Sequence, residues 1–127
     1  MENYLTERIK NMNLPENFKV EITNYLQIHP HTDEKKDAKI VQILIGQDYS
    51  FLDFTYDPET KALDNVEIHL KQELRGKGFG KGLLRIMEEL GKQLGCRYAR
   101  FQINQNPDFW KHMGYNQRGN YWEKRLN

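Results

Sequence analysis

Gly76, Gly78, Gly80 and Gly82 occupy every second position of a short basic stretch, and the hydrophobic period changes across it. Before the glycines, Val66, Ile68 and Leu70 alternate with Asn65, Glu67 and His69, as in a half-buried strand. After them, Leu83, Ile86, Met87, Leu90 and Leu94 fall on one stripe of an amphipathic helix. Lys81, Arg85, Glu88, Glu89 and Lys92 lie mostly off that stripe. Strand, glycine turn and helix in this order make an anion site. The first amides of a helix have no intrahelical partner, and the macrodipole adds positive charge there. Glycine allows positive φ and lets a ligand approach the backbone closely. Arg75, Lys77 and Lys81 bring full positive charges to the same place. A diphosphate suits such a site best.

Two well-known diphosphate patterns fail here. The P-loop needs Gly-Lys-Ser/Thr, but Gly80-Lys81 is followed by Gly82, and Arg75 stands where the first glycine belongs. The dinucleotide pattern G-x-G-x-x-G reaches Lys81 at its last position. Arg-x-x-Gly-x-Gly does fit, at Arg75, Gly78 and Gly80. With the apolar strand before it, this stretch resembles the acetyl-CoA motif of the GNAT superfamily of N-acetyltransferases. Phe109-Trp110-Lys111-His112-Met113-Gly114-Tyr115 resembles that family's aromatic-aromatic-x-x-x-Gly-aromatic segment. The resemblance runs from Asp64 to the C-terminus.

The rest of the chain sets bounds. Its 127 residues read as one domain, residues 1–127, with a single core. Net charge +1 gives no general pull towards nucleic acid or a membrane surface. The single cysteine, Cys96, excludes an intramolecular disulfide and reads as a small core residue with no thiolate activation. No signal peptide and no membrane-spanning run is visible, so a soluble cytoplasmic protein is expected. Only 38% of residues are hydrophobic but 12% are aromatic, so aromatic rings should carry much of the core.

Leu5, Ile9 and Met12 predict a short first helix ended by Asn13-Leu14-Pro15. Strands are expected from Phe18 to about Pro30, from Lys39 to Ile45 and from Tyr49 to Tyr56, leading through Asp57-Pro58-Glu59-Thr60 into the central strand. Gly95 should cap the long helix, followed by a strand over Cys96–Ile103 parallel to the central one. Pro107 should open a short helix through Met113, and a hairpin turning at Gly119-Asn120 should close the chain. The fold class is α/β: a GNAT-like mixed, mostly antiparallel sheet with a central parallel strand-helix-strand unit and flanking helices. In the family two helices usually stand between the first two strands and wall the acceptor site. The stretch from His29 to Ala38 is too short for them, so either the first helix replaces part of that wall or the acceptor side is open.

The resemblance implies acetyl transfer from acetyl-CoA, as co-substrate and with no metal, to a primary amine by direct attack. It implies diphosphate binding by Arg75, Gly76, Lys77, Gly78, Phe79, Gly80 and Lys81. Pantetheine pairing falls to Ile68, His69 and Leu70, with Asn104 or Asn106 on the other side and Phe109 and Trp110 beside them. The amide of Leu70 matches the family's oxyanion donor. Glu67 and His69 are candidate bases, each equally readable as a solvated strand residue, and Asp53 is a weaker one. Trp110 stands where many relatives have a tyrosine acid, and an indole cannot donate a proton to sulfur here. That loss is tolerable. Leaving a thiol of pKa about 8.5 ionised at pH 7 costs roughly 2 kcal/mol, whereas freeing an amine of pKa about 10.4 costs roughly 4.6 kcal/mol. Tyr115 and His112 are substitutes for the acid. His29, His31 and Asp33 form a metal-like spacing but read as a surface loop. A second reading is a non-catalytic acyl-CoA-binding or regulatory protein on the same fold. A nucleic-acid module is disfavoured because the charges are not spread along one face. The resemblance is compatible with a homodimer.

Overall fold

The computed structural model describes residues 1–28, 31–32, 35–102 and 106–127, without the side chains of residues 27, 35 and 36. The elements run α1 (Glu2–Lys10), β1 (Phe18–Ile28), β2 (Lys35–Ile45), β3 (Ser50–Asp57), β4 (Ala62–His69), a 3₁₀ turn (Gln72–Leu74), α2 (Phe79–Gln93), β5 (Tyr98–Phe101), α3 (Pro107–His112), β6 (Asn116–Arg118) and β7 (Tyr121–Arg125). One sheet holds these strands in the order β1-β2-β3-β4-β5-β7-β6. Among the described residues only the β4–β5 pair is parallel, the arrangement expected of two strands joined through a helix. The mixed α/β fold is the one the sequence predicts.

The helices gather on one face. Leu52 and Phe54 of β3, Val41 and Ile43 of β2 and Val66 of β4 point into a core shared with Leu83, Leu84, Met87 and Leu90 of α2. Leu5 and Ile9 of α1 are fully buried in the same cluster, and Arg8 pairs with Glu89 across the α1–α2 contact. The first helix therefore packs beside α2 and does not wall the opposite face. Gly91 explains how α2 lies so close to the sheet. A Cβ there would stand 2.8 Å from Leu63 and 2.9 Å from Leu126.

Two features of β4 bear on function. Its pairing with β3 passes from Thr55↔Asp64 to Asp53↔Glu67, so Asn65 and Val66 face the single residue Phe54, a β-bulge. Asn65 sits at φ +56 there, and its Nδ2 donates to Thr55 Oγ1 (3.2 Å), which itself donates to the carbonyl of Asp64 (3.2 Å). Its pairing with β5 covers only Ala62↔Tyr98 and Leu63↔Ala99. Beyond those pairs the described residues of the two strands, through Gln102, are unpaired, which leaves a cleft between β4 and β5.

A buried polar group ties α2 to the C-terminal hairpin. Tyr115, 1% exposed, donates its hydroxyl to Glu88 Oε2 (2.9 Å), and Lys124 Nζ donates to Glu88 Oε1 and to the carbonyl of Met113. Burial, then the Glu88 charge, holds the Tyr115 hydroxyl well above its ordinary value near 10. A raised value means the fold favours the neutral phenol. The stability gained is complete below about pH 10 and is lost as the pH climbs beyond it. Tyr115→Phe should cost about 1–3 kcal/mol at neutral pH by leaving one Glu88 oxygen unpaired. Denaturant melts at pH 7 and above pH 10 check this: the variant's deficit should narrow in alkali.

Candidate functional site

The glycine loop joins the 3₁₀ turn to α2. Gly78 is the N-cap of α2, at φ +82, with no side-chain cap, and Gly76 lies at φ +74. Those angles favour glycine at both positions. A Cβ at either would meet nothing within 4 Å, so the space above the loop is open. Gly80 is different. A Cβ there would make only ordinary contacts with Leu70, Ile68 and Phe109 at 3.5–3.8 Å, so internal packing does not demand a glycine. Arg75, Lys77 and Lys81 form no ion pair among the described residues. Unpaired helix amides, a bare backbone and three cations without an ion pair among the described residues therefore fall within residues 75–81, and the donor set fits a diphosphate.

Arg75 has a second task that its exposure conceals. Its Nε donates to the carbonyl of Leu70 (2.6 Å), which fastens the loop to the end of β4. On the far side, the Lys71 amide donates to Ser50 Oγ (2.9 Å), so the backbone at residue 71 turns towards β3. Successive residues of an extended chain point their polar groups to opposite sides. The backbone of Leu70 thus points away from β3, into the cleft between β4 and β5. Ile68, two residues back, points the same way.

Glu67 and His69 project from the helix-free face of β4, both exposed. The His69 ring meets Tyr49 edge to face (centroids 6.3 Å) and lies tilted beside Phe51 (6.2 Å), the two aromatic rings also touching each other. Gln42, Asp53 and Glu67 form one row across β2, β3 and β4. Asp53 Oδ1 is buried and has no partner among the described residues. Burial lifts the Asp53 carboxyl above its ordinary value, a hydrogen bond with Gln42 opposes the shift, and the Glu67 charge adds to it. Since the folded value lies above the unfolded one, Asp53 favours folding in acid and loses that contribution as the pH rises through its folded value. At pH 7 its ionised form burdens the fold. Asp53→Asn should therefore raise Tm at pH 7 by about 4 °C, the equivalent of about 1 kcal/mol, and by little near pH 3.5, as thermal melts would read directly.

Of the aromatic pair on α3, only Phe109 reaches the loop. Trp110 is 5% exposed and packs on Phe101 (4.2 Å) and Tyr115 (5.0 Å) inside the core. Asn106 forms the N-cap of α3 and is exposed, whereas Asn104 lies outside the described residues. So do His29 and Asp33 of the metal-like spacing. Among the described residues no group of three or more His, Cys, Asp or Glu could hold a metal ion, and no helix is long and apolar enough to cross a membrane. Cys96 is fully buried, its thiol pushed up to about 11 by burial and then by the charge of Asp64.

No protein-family model and no curated protein sequence matches the chain. Solved structures do. One is an assigned N-acetyltransferase of Lactobacillus plantarum, 14% identical, aligned over 87% of this chain and 99% of that one with a TM-score of 0.55. Another is nourseothricin acetyltransferase, 12% identical, aligned over 96% and 93% with a TM-score of 0.52. The chain has the GNAT N-acetyltransferase fold.

Proposed function

We propose that this protein binds acetyl-CoA along the β4–β5 cleft and transfers its acetyl group to a primary amine. The observation that carries the reading is the glycine loop: bare backbone, helix amides and three cations without an ion pair among the described residues, at the open end of the cleft. Arg75, Gly76, Lys77, Gly78, Phe79, Gly80 and Lys81 would hold the diphosphate. Ile68, His69 and Leu70 would pair with the pantetheine, and the ring of Phe109 would lie against its path. The Leu70 amide, turned into the cleft, suits an oxyanion donor at the thioester carbonyl.

The reaction needs one deprotonation. The amine nitrogen attacks the thioester carbonyl, a C–N bond forms, the oxyanion collapses and the C–S bond breaks to release CoA. Glu67 would take the amine proton through a water, with His69 on the same strand face and Asp53 reinforcing the negative field. Trp110 lies in the core, and Tyr115 spends its hydroxyl proton on Glu88. The sulfur then leaves as thiolate, which the estimate of roughly 2 kcal/mol makes acceptable. The burial of Trp110 and the engaged hydroxyl of Tyr115 favour, as the second reading, a protein that binds acyl-CoA without turnover.

Thiol release from acetyl-CoA across a panel of primary amines separates the two. Transfer predicts steady release with at least one amine. A non-catalytic binder predicts a raised Tm with acetyl-CoA and background release with every amine.

A further inference from the structure

Among the described residues the two edges of the sheet are built differently. β6 closes one edge with only three residues, Asn116–Arg118, the last of them charged. β1 forms the other edge with eleven residues, Phe18–Ile28, in unbroken register with β2. From Ile22 to Ile28 it holds no charge, no proline and no glycine. Proteins ordinarily blunt an exposed edge with charges, proline or bulges, because its unpaired backbone groups template another strand. The longer edge lacks those devices over most of its length.

One bond fixes which backbone groups lie open. The Gly46 amide donates to the Asn17 carbonyl (2.7 Å), so odd-numbered residues of β1 turn their backbone towards β2. The amides and carbonyls of Val20, Ile22, Asn24, Leu26 and Ile28 therefore point out of the sheet. The side chains of these residues share the face of the core residues Ile43 and Val41, which lie opposite Val20 and Ile22. Val20 and Ile22 pack against the core, whereas Leu26 and Ile28 are 60% and 63% exposed. The ladder continues to Ile28↔Lys35, but β3 takes up β2 only from Lys39 to Ile45. Residues 25–28 and 35–38 thus form a two-stranded arm, and such a ribbon is marginal alone in water.

We propose that this edge pairs with the same edge of a second copy, antiparallel about a two-fold axis at Asn24. That register sets Leu26 beside Ile22 of the other copy and Ile28 beside Val20, so exposed apolar side chains meet apolar ones. It brings no like charges together, since Glu21 falls opposite Gln27 and Thr23 opposite Tyr25. Moving the axis by one residue would set Asn24 against Ile22 or Leu26. The open backbone groups of Val20 to Ile28 then find partners, and each arm gains a third strand. Because β4 and β5 lie beyond β3, both clefts stay open, and the inference does not depend on the acetyltransferase reading.

Sedimentation of the protein from about 1 µM to about 1 mM should show a monomer–dimer equilibrium. The double variant Leu26→Lys, Ile28→Lys alters only exposed positions and should weaken association at least about tenfold. Asn24→Cys reads the register. Residues that exchange both hydrogen bonds stand about 5.5 Å apart at Cα, within reach of a disulfide. In oxidised glutathione this variant should become a linked dimer, and Lys19→Cys, away from the axis, should not; Cys96 is fully buried in both. A monomer throughout, assemblies larger than a dimer, or association unchanged by the two lysines would overturn the proposal. So would equal linkage of the two cysteine variants, which decide alone if the lysine variant fails to fold.

Discussion

Replacing Gly78 with glutamate is expected to lower acetyl-CoA affinity at least about tenfold while the protein remains folded. The residue caps α2 at φ +82, and a side chain there would project into open space above the loop. No internal clash would accompany the change. Any L residue at this angle carries about 1–2 kcal/mol of backbone strain, so stability should fall by that amount. Gly78→Ala carries the same strain without the charge. The difference in affinity between the two variants, read by calorimetry, isolates the repulsion between a carboxylate and the diphosphate. If both variants bind as the native protein does, the loop is not the diphosphate site.

The second large effect is expected at Glu67. Amine deprotonation, at roughly 4.6 kcal/mol, is the heavier of the two proton burdens at pH 7. Glu67→Gln should therefore slow transfer by about 10²–10⁴-fold near neutral pH, with the defect shrinking in alkali as the acceptor frees itself. His69→Ala should behave alike if the histidine shares the proton. Trp110→Phe provides the contrast, since its ring lies in the aromatic core and carries no proton. It should reduce stability and leave the pH profile of the rate unchanged. Rate against pH at saturating acetyl-CoA for the three variants decides the matter. A pH profile altered only in Trp110→Phe would move the chemistry from β4 to α3.

The sequence was most legible where local pattern and global packing agree. The alternation of Val66, Ile68 and Leu70, the glycine loop and the stripe of α2 all mark one strand-turn-helix unit, and each term is local. Strand β2 is less legible at its start. Lys39–Ile45 announces itself by a continuous apolar run, but the ladder begins at Lys35, where the polar residues Lys35, Lys36 and Asp37 pair only with β1. Nothing in their chemistry signals a strand. At the other end of the sheet, Cys96 and Arg97 precede β5, because the Arg97 amide bonds to the carbonyl of Lys61 before the ladder begins.

The site divides in the same way. Arg75, Gly78 and Gly80 stand within six residues and betray themselves by spacing. The cavity that Tyr25 of β1 shares with residues of β3, β4, β5 and β7 does not, since it depends on how distant strands meet. Tyr25, Asp57, Asp64, Arg100 and Tyr121 come from five strands, and no linear pattern connects them. The burial of Trp110 was hidden for a related reason. In sequence Phe109 and Trp110 are equivalent neighbours, and only the placement of Phe101 and Tyr115 decides which ring enters the core.

The central claim is that the cleft between β4 and β5 is an acetyl-CoA site anchored by the glycine loop. Backbone amide spectra of the native protein, recorded as acetyl-CoA is added, test it most directly. The account predicts saturable shifts at Leu70, Gly78, Phe79 and Gly80, while the amides of Lys19 and Glu21 on the distant edge strand stay in place. Saturable shifts confined to other surfaces, or none at all, would contradict it.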